Sequence, residues 1–188
     1  MAKLIKAGSK FMFQLHYTPN GKEAVDRSMV ALRFAKEQPK LEVKTGSAIN
    51  FSFRIPANDG NYEVKSSFEV KKDMDIVSWM PHMHVRGKDF LYTIVYPDGR
   101  TEVALNVPRY DFNWQLQYDL AKPIHLPAGT RIDCVAHFDN STNNAANPNP
   151  NQEVKWGDQT WEDMMIGFFG YTAPVQAKPA VEASKAGE

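Results

Sequence analysis

Two histidines one residue apart, His82 and His84, lie in the stretch Trp79-Met80-Pro81-His82-Met83-His84-Val85-Arg86-Gly87-Lys88-Asp89-Phe90, which reads as a β-strand. Alternate side chains of a strand share a face and successive residues rise about 3.3 Å. The two imidazoles should therefore stand side by side, within reach of one metal ion. A His-x-His pair is a weak signal by itself. The methionine pair in Asp163-Met164-Met165-Ile166-Gly167-Phe168-Phe169 sharpens it. Imidazole suits copper, zinc, iron and nickel, whereas a thioether is soft and selects copper, above all Cu(I). Two histidines and a methionine form a neutral donor set that can hold Cu(I) and leave a position open to oxygen. That pattern points to copper redox chemistry.

The elements that must position these residues read as strands. Short runs rich in β-branched and aromatic residues occupy 10–17, 29–34, 49–55, 62–71 and 75–84, and continue at 90–96, 101–107, 112–118, 130–138 and 164–171. Several alternate polar and apolar residues with period two. Turn residues separate them at Asn58-Asp59-Gly60, Pro97-Asp98-Gly99 and Pro127-Ala128-Gly129. One short helix is expected near residues 23–26, and no segment carries a sustained helical period. Many short strands at this spacing predict an all-β, antiparallel, jelly-roll-like β-sandwich. The asparagine-rich stretch 140–151 is too long for a hairpin turn and is either functional or mobile. Residues 174–188, rich in Ala, Lys, Pro and Glu, read as a flexible tail.

Composition excludes several function classes. The 188 residues carry 22 basic and 22 acidic side chains, so no net field favours nucleic acid or an anionic membrane. No apolar run approaches the length of a membrane span, and the first residues lack the apolar core of a signal peptide. A single cysteine, Cys134, rules out an internal disulfide and a cysteine zinc cluster. It lies in an apolar run and reads as a buried small hydrophobe rather than a copper ligand.

Four segments, in order, carry a family resemblance: Phe13-Gln14-Leu15-His16-Tyr17, His82-Met83-His84-Val85-Arg86-Gly87-Lys88, Leu126-Pro127-Ala128-Gly129-Thr130 and Glu162-Asp163-Met164-Met165. Tyr110-Asp111-Phe112-Asn113-Trp114-Gln115 and His137-Phe138-Asp139-Asn140-Ser141 add a bacterial flavour. The chain resembles the copper type II, ascorbate-dependent monooxygenases, which include peptidylglycine α-hydroxylating monooxygenase, dopamine β-monooxygenase and bacterial relatives. The resemblance implies a domain like the second of the family's two β-sandwiches, whose copper is held by His-x-His and one methionine. Here those ligands are His82, His84 and Met164. Met165 falls where the animal enzymes have a cysteine. His16 matches the last histidine of the family's first, electron-relaying copper, whose adjacent His-His pair has no counterpart in this chain. His16 is thus either an orphan second-copper ligand or a structural histidine.

The resemblance further implies residues 1–36 as the end of a preceding copper domain with a tether, 37–173 as the copper sandwich and 174–188 as tail. It implies one tightly bound copper, ascorbate or another external reductant, O2 and a small-molecule substrate as partners, and a periplasmic or extracellular parent protein with an upstream copper domain. Two departures stand out. An arginine that grips the substrate carboxylate in the peptidylglycine enzyme is Met80 here, and a substrate-holding tyrosine is Phe168, so a peptide ending in glycine is not expected to fit.

Other residues have plainer readings. Met83 and Met165 pack or lie behind the ligands, His137 anchors the long loop, and His125 ends a strand. Asp89, Asp111 and Asp139 are candidates to orient a ligating imidazole. The acid pair Glu162-Asp163 reads as a solvated edge. Two alternatives to an oxygen-activating enzyme remain open: a non-catalytic copper storage or transfer module on the same site, and a structural sandwich for adhesion or carbohydrate contact through Trp114, Trp156 or Trp161.

Overall fold

A computed structural model describes residues 1–17 and 20–175. It is an all-β sandwich of ten strands with no helix among the described residues: β1 (Leu41–Ile49), β2 (Arg54–Ile55), β3 (Tyr62–Glu69), β4 (Met74–His82), β5 (Gly87–Val95), β6 (Thr101–Val107), β7 (Tyr118–Leu126), β8 (Arg131–Phe138), β9 (Val154–Lys155) and β10 (Ile166–Pro174). The first sheet runs β1-β10-β4-β7 and the second β3-β8-β5-β6, with β2 and β9 forming a small third ladder. Every ladder is antiparallel. The result is the jelly-roll-like sandwich that the strand spacing predicts.

Alternation builds the core. On β5, Phe90, Tyr92 and Ile94 are buried, and on β8 Ile132, Cys134, Ala136 and Phe138 are. They face Ile76, Trp79, Met83, Met165 and Phe169 of the first sheet and its margins across the sandwich. Burying a side chain of this size stabilises by about 1.5–3 kcal/mol, so this stripe holds the two sheets together. Trp79 sits at its centre, its ring 4.9 Å from Tyr92 and 6.1 Å from Phe169. Cys134 is buried here as expected, and burial pushes its thiol far up.

Several sequence expectations fail, each for a physical reason. Residues 10–17 and 29–34 are apolar but form no strand, because no neighbouring strand pairs with them. Phe11, Met12, Phe13, Leu15 and Phe34 are exposed by half or more, apart from Leu15 just under it. Strand propensity reflects packing against neighbours, and without them it does not act. Residues 23–26 form no helix. Residues 112–117 form a turn and loop in which Trp114 N–H donates to the Asp111 carbonyl at 2.9 Å; of the strand expected at 112–118, only Tyr118 is in a strand, as the first residue of β7. Strand β1 was not predicted beyond its last residue, since Lys44, Thr45, Gly46 and Ser47 give it no apolar alternation.

Gly46 has a specific cause. A Cβ there would stand 2.4 Å from the Phe169 ring, and that ring is 1 % exposed and wedged against Phe68 and Trp79. Gly46→Ala should therefore overpack the sheet and cost about 1–3 kcal/mol. Thermal unfolding followed by circular dichroism checks this: Tm should fall by roughly 2–4 °C for each kcal/mol, and an unchanged Tm would show that the ring can yield.

Candidate metal centre

From Trp79 to the end of β4 and the residue beyond it, core and outer face alternate: Trp79, Pro81 and Met83 face inward, and Met80 and His82 outward. His84 does not lie on the strand, as the sequence suggests, because β4 ends at His82 and a turn follows. The alternation nevertheless persists, and the two imidazole centroids stand 5.3 Å apart with planes at 85°. A nitrogen about 2 Å from a metal puts its ring centre about 3 Å from it, so two imidazoles on one tetrahedral ion stand about 5 Å apart. The spacing fits a shared ion.

Side chains replace the ladder where β4 stops. The Tyr110 hydroxyl donates to the Met83 carbonyl at 2.6 Å and accepts from the Met83 N–H at 3.0 Å, occupying both backbone groups between the histidines. Asp163 does the rest. Its Oδ1 accepts from the His84 N–H at 2.8 Å and the Met164 N–H at 2.9 Å, and its Oδ2 accepts from the Arg86 N–H at 3.3 Å. The carboxyl is 0 % exposed, so the reading of Glu162-Asp163 as a solvated edge is wrong for Asp163. Burial pushes it up to about 7, while those three N–H groups and the nearby Arg86 favour its charged form. Both oxygens already accept hydrogen bonds, and a proton on either would need an acceptor of its own. We therefore take the group as ionised.

The long asparagine-rich loop braces the same turn. Asn140, fully buried, accepts from Arg86 Nε at 2.8 Å and donates to the carbonyls of Pro56 and Gln152. Arg86 Nη1 donates to the Trp161 carbonyl at 2.9 Å, and Asn144 Nδ2 donates to the Val85 carbonyl at 3.1 Å. Between the two sequence readings of this loop, its positional role is the one visible.

Both imidazoles are oriented through the same ring nitrogen. His82 Nδ1 lies 2.6 Å from Gln115 Oε1. The Gln115 amide is fixed because its Nε2 donates to the Phe112 carbonyl at 2.8 Å, so its oxygen can only accept and His82 Nδ1 carries the proton. His84 Nδ1 lies 3.3 Å from the Glu162 carbonyl, also an acceptor. In each ring the proton sits on Nδ1, leaving the Nε2 lone pair free, the arrangement an orienting partner imposes on a metal-binding histidine. Burial also holds both imidazoles below the ordinary histidine range, so they are neutral near pH 7 and able to ligate. The Phe112 ring lies 5.8 Å from His84 and the Phe168 ring 6.3 Å from His82, walling the pair with apolar surface.

The candidate third ligand also finds a place. Ile166 pairs with His82, and the same register carried back two residues sets Met164 opposite His84. Met164 is half-buried. Met165 is fully buried in the core, its sulfur 3.1 Å from the Ser66 hydroxyl, so it faces away from the histidines. Among the described residues no three His, Cys, Asp or Glu side chains converge on a metal position. Met164, of a type outside that set, is the nearby soft donor that the extrapolated register brings to the level of His84.

Of the remaining sequence candidates, His16 lies near the pair and the others lie elsewhere. His16, exposed on the N-terminal segment, is near enough for its charge to push both site histidines further down. His125 bonds Asp75 at 2.8 Å, and His137 bonds Asp89 at 2.7 Å on the other sheet. Asp111 and Asp139 hold their own turns through Asn113 and Ser141. None of the three proposed aspartates orients a site imidazole; Gln115 and the Glu162 carbonyl do. Gln115 is in one of the quoted motifs, but nothing in the sequence marks it as a partner of His82. Trp156 packs against Phe51 at 4.5 Å, whereas Trp114 and Trp161 are exposed.

No family model matches the chain, and no curated protein matches it. Among solved structures it is similar to the infectious bursal disease virus VP2 subviral particle, at 13% identity over 72% of this chain and 33% of that chain, with a TM-score of 0.36. The structure of the Gx strain of the same virus gives 10% identity over 78% and 37%, with a TM-score of 0.36. The chain spans about a third of the length of these proteins, and so distant a likeness says nothing about the histidine site.

The hydrogen bonds at the rings make a direct prediction. Long-range 1H–15N spectra of the metal-free protein at neutral pH should show His82 and His84 in the Nδ1–H form. Gln115→Leu should release His82 to a mixture of forms and leave His84 unchanged. Nε2–H forms for both rings in the wild type would contradict the orientation described.

Proposed function

We propose that His82, His84 and Met164 hold one copper ion, and that the chain is the oxygen-activating domain of a copper-dependent monooxygenase acting on a C–H bond of a small molecule. The observation that carries this reading is the pair of neutral imidazoles, each fixed through Nδ1 and presenting Nε2, with a half-buried thioether across from the second. Copper bound there would supply one-electron redox chemistry, with ascorbate or another external donor as reductant. The overall reaction balances as R–H, O2, two electrons and two protons giving R–OH and water.

The chain's own residues contribute in separate ways. His82 and His84 bind as neutral donors, so no ligand charge opposes a gain of electrons by the metal. Met164 adds a soft donor that favours the reduced ion. Gln115 and the Glu162 carbonyl hold the rings in one orientation, and Phe112 and Phe168 keep water from their faces. Asp163 fixes the backbone at His84 and Met164 together, so two ligands from distant parts of the chain share one anchor.

The reading extends to an upstream copper domain that relays electrons, and to a periplasmic or extracellular parent protein. A second reading, copper storage or transfer without catalysis, is favoured by one observation. Of the five histidines in the chain, His125 and His137 are engaged by carboxylates, so no second imidazole set accompanies His16.

Copper titrations under anaerobic conditions test the ligand set. His82→Ala and His84→Ala should each abolish tight Cu(II) binding, and Met164→Ile should weaken Cu(I) retention more than Cu(II). If Met165→Ile weakens Cu(I) while Met164→Ile does not, the assignment of the thioether is overturned.

Oxygen consumption separates the two functional readings. Loaded with copper, freed of unbound metal by gel filtration and then given ascorbate, the wild-type chain should reduce O2 slowly to H2O2, two electrons and two protons for each O2, and His84→Ala treated in the same way should not. A copper-loaded chain that consumes no oxygen would favour storage or transfer.

A further inference from the structure

A groove of about 630 Å³ opens on the outer face of the first sheet, beside the histidine pair. Its origin lies in strand pairing. Along β4 and β7, Ile76 pairs with Ile124 and Ser78 with Asp119, so four residues of β7, 120–123, stand against the single residue Val77. The β4–β10 ladder slips at the same point, between Gly170 and Tyr171. Ile76 and Trp79, three residues apart, consequently both face the core at 0 % exposure. A bulge re-aims side chains and bends its strand, and such irregularities gather beside active sites. Here β7 arches away from β4, and Leu120, Ala121 and Pro123 form one wall of the opening.

The lining has a definite chemistry. Val43, Val77, Met80 and Phe168 give an apolar surface. Ser78, 5 % exposed, is the buried polar side chain among the lining residues, and Gly170 leaves space for its hydroxyl: a Cβ there would meet Ser78 Oγ. The two charged lining residues, Lys3 and Asp119, are exposed and opposite in sign. Asp119 already accepts from Gln117 Nε2 at 2.7 Å. An ionised ligand would meet no buried counter-charge in this groove. A volume of this size suits a small molecule, since such sites run to about 300–1,000 Å³.

One end of the groove approaches the candidate metal site. Met80 belongs to its lining and precedes His82 by two residues on the same face, and the Phe168 ring stands 6.3 Å from the His82 ring. From Ser78 to His82 the strand rises about 13 Å. We infer that the bulge groove binds an elongated, uncharged, largely apolar molecule by one hydroxyl or carbonyl group at Ser78, with its far end lying over Met80 and Phe168 beside the histidines. The inference rests on the copper reading for what happens to that end, but the binding itself does not require a metal.

Methionine methyl resonances of the full chain test the two separately, because Met80 reports the groove and Met164 the metal position. The metal-free protein is titrated with 1-octanol and, in parallel, with octanoate. 1-Octanol should shift the Met80 methyl saturably, and octanoate should bind at least tenfold more weakly. Ala121→Trp, a change at an exposed position in the groove wall, should weaken 1-octanol at least tenfold while loading Cu(I) like the wild type, read at Met164. Absence of a saturable Met80 shift, unchanged binding in Ala121→Trp, or equal binding of octanoate would overturn the inference. Should 1-octanol behave as expected while Cu(I) leaves Met164 unshifted, the groove stands and the oxygenation reading falls.

Discussion

The arrangement at one end of the first sheet's two inner strands depends on a single buried carboxylate. Asp163 accepts backbone N–H groups from His84, Arg86 and Met164, three donors that the end of β4 and the start of β10 would otherwise leave unpaired. An unpaired buried backbone donor costs about 1–3 kcal/mol, so three of them would not persist without such an acceptor. The carboxylate is itself held by main chain on either side: the Asp163 N–H donates to the Lys155 carbonyl, and the Asp163 carbonyl accepts from Gly157 N–H. Through these bonds the histidine turn, the methionine and the short β9 strand share one point of attachment. The Arg86–Asn140 contact adds the long loop to the same assembly.

Electrostatics and packing reinforce each other at the imidazoles. Burial disfavours the charged form of a histidine, and the acceptors at Nδ1 leave the opposite nitrogen bare. The aromatic rings of Phe112 and Phe168 contribute the burial, and the loop that carries Phe112 also carries Gln115, so one short segment both dries and orients the site. That the segment is a turn rather than the strand its composition suggests is what allows it to fold over the face of β4.

Much of the sandwich was legible from local pattern. The alternation of β5 and β8 predicted their buried faces, and β6 has the bounds that its residues imply. The two outer strands of the first sheet were not legible. β1 offers no apolar alternation, and Phe169 pressing on position 46 requires a glycine there, while β7 contains Pro123 where its ladder is interrupted. Conversely, the apolar runs at 10–17 and 29–34 look like strands and lack only a partner, a fact no local pattern records. At the site, spacing marked His82 and His84, while Met164 was singled out from Met165 only by the family resemblance. Asp163 was misread because its neighbour Glu162 looks equivalent in sequence, and only the arrival of three N–H groups from remote residues distinguishes them. Gln115 was missed for the same reason.

The interleaving of β4 carries a consequence for how such a chain can change over time. Trp79, Pro81 and Met83 fill the sandwich while Met80 and His82 line its outer surface, so ligand positions and core positions occupy alternate places on one thread. Inserting or deleting a single residue between the Val77 bulge and the histidines would turn imidazoles inward and a tryptophan outward. Length variation there is closed to the lineage, whereas the hairpin at Pro97-Asp98-Gly99, exposed and remote from the site, can lengthen without moving a ligand. Drift in this protein should therefore appear as substitution along β4 and as insertion at the hairpin.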